Sequence, residues 1–233
     1  MTSSDTNCGA CNNACATGGH CAGGKCVGYT MATSTPTAAG VDACTLMGHQ
    51  ALLTSSSGWE ESAVVSLPFA FSFFGAAQTQ FWIGSQATVG FGAPPMGAFS
   101  YPTCPLPDSS NQYGAAIAFG DYIDTGSLGV CYATTGTAPN RQLVLTWDKA
   151  THESDTGSVL TISIILTETA NTIDFQYDVA TPGMSGGGYV RGNNATVGLQ
   201  DMTGMVAVQY ACGTGSNDLF NAAPFALRFS PLM

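Results

Sequence analysis

Five of the nine cysteines, Cys8, Cys11, Cys15, Cys21 and Cys26, crowd into a short N-terminal stretch that has almost no apolar side chains. Such a segment cannot bury enough surface to fold around a core, so covalent links must take the core's place. Each disulfide stabilises a small module by about 2–5 kcal/mol. The other four, Cys44, Cys104, Cys131 and Cys212, are spread through the rest of the chain. Disulfide use on this scale belongs to an oxidising compartment and places the protein outside the cell or on its surface. Two other chemistries use such residues. Cys8-x-x-Cys11 has the spacing of a redox pair but lacks a surrounding βαβ pattern. Zinc is served by thiolates and by His20 beside Cys21, but the two separated Cys-x-x-Cys knuckles are missing. Five and nine are both odd. Either one cysteine of the cluster pairs with the main domain, Cys44 being nearest in sequence, or a thiol is left for another chain.

Composition narrows the fold and excludes several partners. The chain is 45% hydrophobic and only 9% charged, against about 25% charged residues in an average soluble domain. A surface of Gly, Ser, Thr, Ala and Asn suits outward-facing strands better than exposed helices. With 5 bases against 15 acids, the net charge of −10 provides no track for phosphates and is repelled by anionic membrane surfaces. No nucleic-acid partner and no membrane insertion are therefore expected; no apolar run reaches the ~18 residues of a membrane helix. Residues Met1 to Asp5 have neither the basic start nor the apolar core of a signal peptide, so any export signal lies before this numbering.

The pattern along the chain divides it into a Cys-rich module at 1–27, a Thr/Ser/Pro-rich segment at 28–43 and an all-β domain at 44–233. The middle segment reads as a linker whose Thr33, Thr35 and Thr37 are candidates for O-linked sugars. Across its start, Val27, Tyr29 and Met31 alternate with Gly28 and Thr30, the period of a half-buried strand. Without a partner in its own domain, such a strand would add to the sheet edge of a neighbour. Beyond Asp42, short apolar segments follow one another: Leu67–Phe74, Phe81–Gly84, Thr88–Phe91, Tyr113–Phe119, Leu128–Ala133, Leu143–Trp147, Val159–Leu166, Ile173–Tyr177, Val197–Leu199, Val206–Tyr210 and Phe225–Phe229. Turn residues separate them and no amphipathic helix intervenes. About ten to twelve strands in an antiparallel sandwich or jelly-roll-like fold are predicted, with enough apolar area to stand on their own core.

Two resemblances attach to particular residues. Asn7-Cys8-Gly9-x-Cys11-x-Asn13-x-Cys15, then Gly19-x-Cys21 and Gly24-x-Cys26, resembles the short Stig1-like cysteine repeat of myxobacterial-type bacterial surface proteins. It covers about the first tenth of the chain and implies a secreted setting. Over residues 60–230, an ordered set of segments is similar to the nidogen-like and choice-of-anchor β-sandwich domains. They are Leu67-Pro-Phe-x-Phe-x-Phe-Phe-Gly75, Phe81-Trp-Ile-Gly-Ser85, Val89-Gly-Phe-Gly92, Leu143–Trp147, Ile173–Tyr177, Ala195–Gln200 and Val208–Cys212. Gln86-Ala87 stands where that family usually has Asn-Gly. The resemblance implies a non-catalytic part of a secreted or surface-attached protein, serving adhesion, matrix or assembly.

Chemistry is sparse. Of the three histidines, His152 lies in a polar stretch, 149–155, beside Glu153 and Asp155, and is the best candidate for hydrolase chemistry; no Gly-x-Ser-x-Gly elbow accompanies it. The stretch reads foremost as a solvated turn. Asp121 and Asp124, followed by Thr125-Gly126, are the candidate calcium ligands, without the spacing of a dedicated loop. No other cofactor is implied. Trp59, Trp82, Tyr122 and Tyr189 are the aromatic platforms on which a sugar would stack, although Trp82 and Trp147 fall on strands. Asn194-Ala-Thr196 is an N-glycosylation sequon, and the Gly-rich loop at 182–194 a candidate rim or assembly contact. The leading expectation is a non-catalytic structural or adhesive protein that associates with copies of itself or with other surface proteins and forms a fibre through its N-terminal segment. A carbohydrate-binding module and a secreted hydrolase are the alternatives.

Overall fold

The computed structural model describes residues 3–15, 19–34, 41–54, 61–94, 102–181, 189, 192–213 and 225–232. Its strands are β1 Gly19–Ala22, β2 Lys25–Ser34, β3 Gln50–Leu53, β4 Val65–Phe73, β5 Ala76–Gly84, β6 Thr88–Phe91, β7 Gly114–Gly120, β8 Ile123–Asp124, β9 Val130–Thr135, β10 Gln142–His152, β11 Asp155–Thr167, β12 Ile173–Thr181, β13 Thr196–Gln200, β14 Ala207–Cys212 and β15 Phe225–Pro231. One short 3₁₀ turn, Ala43–Thr45, accompanies them. All strand pairs are antiparallel. One sheet runs β1-β2-β15-β12-β11-β10-β9-β3, with β8 added to β10, and the other runs β14-β13-β7-β6-β5-β4. The expected antiparallel β-sandwich is present, and every predicted apolar segment falls on a strand. The extra strands, β1, β3 and β8, have 4, 4 and 2 residues, too short for a periodicity to register.

The sheets face each other across an aromatic and aliphatic core that includes Phe71, Phe73, Phe91, Trp147, Phe175, Tyr177 and Phe229. Alternation explains which residues enter it. In β4, Phe69, Phe71 and Phe73 are buried while Ala70 is exposed, the period of two that a pleated strand imposes. Three aromatic tips of the first sheet reach backbone oxygens of the second. Tyr29 Oη donates to Ser72 O at 2.9 Å, Trp147 Nε1 to Gly84 O at 3.1 Å and Tyr177 Oη to Ala118 O at 2.8 Å. Buried hydroxyls and indoles need such partners, and here the partners also fix one sheet against the other.

Irregular segments cover both outer faces. Over the first sheet, Ala43 and Cys44 pack with Cys131, Ala133, Val144 and Ile165, held by the Cys44–Cys131 disulfide. Over the second, Leu106 and Tyr113 cover Trp82, Ala115 and Ile117, and Cys104–Cys212 ties that segment to β14. The sequence places the disulfide dependence chiefly in the N-terminal module and lets the sandwich stand on its core alone. Two of the four bonds instead lie in the sandwich, where they hold covers that make no sheet ladder of their own.

The Thr/Ser/Pro segment is not simply a linker. Lys25–Ser34 is one continuous strand. It pairs with β1 over Lys25–Gly28 and with the chain's own C-terminal β15 over Tyr29–Ser34. Tyr29 settles the matter physically: it is buried against Phe73 and Phe74, with ring centroids 5.9 and 5.2 Å away. The alternating segment thus finds a partner within its own sandwich.

Candidate functional site

The N-terminal module closes with two bonds, Cys8–Cys21 and Cys15–Cys26, and the ninth cysteine, Cys11, lies outside the four disulfides and is exposed. Cys44 pairs with Cys131, so no bond joins module to sandwich. Asparagine and aspartate groups supply the module's remaining order. Asn13 Nδ2 donates to Cys8 O at 2.6 Å, Asn12 N to Asn7 Oδ1 at 2.9 Å and Cys21 N to Asp5 Oδ1 at 2.6 Å. Gly23 and Gly24, both at positive φ, make the β1–β2 turn. Gly9 must also be glycine, because a Cβ there would strike Gly24 O. Cys8, Cys15 and Cys26 bring their sulfurs within 4.8 Å of one another, and all three belong to the two disulfides.

This module is joined to the sandwich through β2. At the joint, Gly75 of the β4–β5 turn comes so close that a Cβ would lie 2.8 Å from Val27 Cγ1. A cleft of about 680 Å³ opens beside it, lined by Asn13, Ala14, Gly24, Lys25, Cys26, Val27 and Leu232. Among the described residues of its wall Lys25 is the single charged group, and no acid accompanies it.

The outer edge of β2 is the most distinctive surface. Leu232 N donates to Gly28 O at 2.9 Å, which makes Gly28 a hydrogen-bonded position opposite the C-terminal strand. Antiparallel pairing alternates, so Thr30, Ala32 and Ser34 bond to β15, whereas the backbone N–H and C=O groups of Tyr29, Met31 and Thr33 point the other way. No described strand is hydrogen-bonded along that side beyond Gly28, although β14 of the other sheet comes near β2. The edge carries no charged side chain from Tyr29 to Ser34. On the neighbouring strand, Arg228 faces Ala32 and is held by Asp174 through two hydrogen bonds of 2.6 and 3.0 Å. Charges, prolines and bulges are the usual means of blunting an edge strand, and this stretch has none of them.

His152 closes differently from the sequence expectation. It ends β10 and is buried, instead of lying in a solvated turn. The strand runs on past Lys149 because a bulge there absorbs the polar residues, and β8 pairs alongside, matching Ile123 to His152. Its partner is Asp121, with Nε2 3.3 Å from Oδ2 and side-chain exposures of 4% and 9%. Asp155, the expected partner, takes a hydrogen bond from Ser158 Oγ at 2.8 Å. Ser154 N donates to His152 Nδ1 at 3.0 Å, so Nδ1 has no proton and Nε2 carries it toward Asp121. The two atoms make no hydrogen bond, and the pairing is one of proximity. Nδ1 is taken by the backbone, and Nε2 faces Asp121 without a hydrogen bond. A triad histidine needs one nitrogen for its acid and the other for its nucleophile; here the backbone amide occupies the second. Tyr189 stacks on the ring at 4.5 Å.

The remaining candidates are placed as follows. Asp121 Oδ1 accepts from Tyr122 N at 2.8 Å, so the candidate calcium ligand Asp121 is turned to its own backbone and to His152. Asp124 lines a recess of about 20 Å³ with Gln86, Tyr122, Ile123 and Glu153, room for about one water. Trp82 and Trp147 are fully buried, and Tyr122 is exposed. Asn194 and Thr33 are exposed; Thr35, Thr37, Trp59 and the glycine run at 182–188 lie outside the described residues. Sequence reasoning missed the His152–Asp121 pair, because the link between them depends on a two-residue strand.

The fold and its staples define a disulfide-bonded extracellular β-sandwich domain. Residues 28–224 match the family described as NIDO related, and the chain belongs to this nidogen-related family. The match begins in β2, at the residue where that strand leaves β1 for β15. Domains of this kind are generally non-enzymatic. No curated protein and no solved structure matches the chain. No helix among the described residues is long and apolar enough to cross a membrane.

Proposed function

We propose that the protein is a structural subunit of an extracellular assembly and that copies join edge to edge through β2. The observation that carries this reading is the outer side of Tyr29–Ser34, a six-residue edge without charge or proline that continues out of a covalently stapled hairpin. Its simplest partner is the same edge of a second copy, antiparallel across a two-fold axis, because backbone groups spaced along one strand are self-complementary. The family supports a non-catalytic extracellular role, and the small uncharged surface supports a molecule built to pack. The net charge of −10 opposes association elsewhere on the surface, which restricts contact to the neutral edge.

Sedimentation velocity across a range of protein concentrations tests this. The wild type should form dimers, more strongly as salt screens the acidic surface. Thr33→Pro removes an outward N–H and places a ring on the edge, a change that an edge strand tolerates on its solvent side. It should stay monomeric with an unchanged melting temperature. Equal association of wild type and variant overturns the edge-to-edge reading.

A further inference from the structure

Four sulfurs of the N-terminal module meet on one face of the β1–β2 hairpin. Cys21 and Cys26 stand directly opposite each other, between the pairs His20–Val27 and Ala22–Lys25. Opposite residues of an antiparallel pair project to the same side of the ladder. These two cysteines are not bonded to each other. Cys21 bonds to Cys8 and Cys26 to Cys15, with Cα separations of 5.4 and 5.3 Å. The sulfurs of Cys8, Cys15 and Cys26 lie within 4.8 Å of one another, and Cys21 joins them through its bond to Cys8. A tetrahedral zinc–thiolate centre, with Zn–S of about 2.3 Å, sets its sulfurs about 3.8 Å apart. The four sulfurs are thus already gathered on the scale of such a centre.

Groups other than sulfur hold the backbone that carries them. Asp5 spans two of the four: its backbone O accepts from Cys15 N at 2.7 Å and its Oδ1 from Cys21 N at 2.6 Å. Cys8 N donates to Asn13 O at 2.7 Å, and Asn13 Nδ2 donates to Cys8 O at 2.6 Å. Gly9 packs directly on Gly24 of the hairpin turn. Reduction breaks none of these contacts chemically. It does remove the covalent links of a module without an apolar core, and below about 40 residues a fold needs disulfides, a metal or a partner. The cleft whose wall includes Cys26 and Lys25 gives an ion a way in. The Lys25 ammonium in that wall opposes the negative charge that four thiolates bring to a metal.

We propose that the reduced module holds one zinc ion on the thiolates of Cys8, Cys15, Cys21 and Cys26. The same four sulfurs then close the module under reducing and oxidising conditions alike. A dithiol reductant gives two electrons and two protons to each disulfide and leaves as its own cyclic disulfide. The four thiols release their protons to solvent as zinc binds. His20 takes no part, because it precedes Cys21 in β1 and its side chain leaves by the opposite face. Spacing along the chain conceals the centre: a cross-strand pair stands where a Cys-x-x-Cys knuckle would.

The test uses the full chain, reduced with a dithiol and desalted without oxygen. Cobalt(II) is added as a spectroscopic stand-in for zinc. One equivalent should give the intense visible bands of a tetrahedral thiolate site, and one equivalent of zinc should bleach them. Alkylation with mass mapping should show zinc protecting Cys8, Cys15, Cys21 and Cys26 and leaving Cys11 reactive. The bands should vanish in the Cys21→Ser, Cys26→Ser double variant. They should persist in His20→Ala and in the Cys104→Ser, Cys212→Ser double variant, and the unreduced chain should give none. Absence of the bands from the reduced wild type overturns the site. So does zinc protection that falls on other cysteines, or a spectrum that survives the loss of Cys21 and Cys26.

Discussion

The hydroxyl of Tyr29 donates to the backbone oxygen of Ser72 across 2.9 Å, tying the strand that leaves the cysteine module to the far sheet of the sandwich. One side chain thereby converts an N-terminal extension into part of the core. Tyr29→Phe keeps the ring contacts and leaves Ser72 O without this donor, at a cost of about 1 kcal/mol. Tyr29→Ala also opens a cavity between Phe73 and Phe74 and should cost about 3–5 kcal/mol. Denaturant midpoints measure both, and equal losses in the two variants would show that the ring packs against nothing of consequence.

Tyr29, Tyr113, Tyr177 and Tyr210 share an alkaline liability. Burial pushes all four phenols above their usual range; the charges of Asp108 and Glu61 add to this at Tyr113, and Tyr210 adds to it at Tyr177. Because the folded state binds these protons more tightly, stability is retained below the ordinary phenol value near 10 and falls as pH rises above it. The phenolate absorbance of these four should therefore appear together with unfolding. Titration of all eight tyrosines before any loss of structure would contradict this burial.

The acid flank has a different source. The Arg141 guanidinium grips Glu168 through contacts of 2.6 and 2.8 Å and draws its carboxyl down to about 2. The stabilisation from this pair is present above the ordinary glutamate range and lost as pH falls through it toward 2. Glu168→Gln should flatten the acid limb of a stability–pH curve and leave the alkaline limb unchanged.

The two sandwich disulfides close separations of 87 and 108 residues. Loops of that length correspond to about 4–5 kcal/mol in the chain-entropy treatment. Replacing Cys104 and Cys212 together by serine should lower stability by about 2–5 kcal/mol and expose Trp82, read as a red shift in tryptophan emission. Loss of stability without the shift would mean that Leu106 and Tyr113 cover the tryptophan unaided.

His152 serves as a structural group. His152→Ala removes a buried ring that stacks on Tyr189, and the expected loss is about 2–3 kcal/mol. A chemical-denaturation midpoint unchanged from the wild type would show that the ring's packing contributes nothing.

Much of the sandwich was legible because each long strand carries its own period. Phe69, Phe71 and Phe73 alternate in β4, and Ile173, Phe175 and Tyr177 in β12, so strand, face and core could be read together. The joint was half legible. Val27, Tyr29 and Met31 showed a strand, but its partner β15 lies about two hundred residues away, with Thr30 opposite Ser230, and local pattern has no access to such a pairing. For the same reason the odd cysteine could be counted but not located as Cys11. The outer-face covers and the Asp121–His152 pair were not legible, since their residues are neither periodic nor adjacent.

Residue-resolved hydrogen exchange, compared between dilute and concentrated protein, tests the edge contact most directly. Thr30 and Ala32 bond to β15 within one chain, so their amides should be protected at every concentration. The amides of Tyr29, Met31 and Thr33 point outward and should gain protection only as chains associate. Protection of these three that does not change with concentration, in protein that nonetheless self-associates, would contradict assembly through β2.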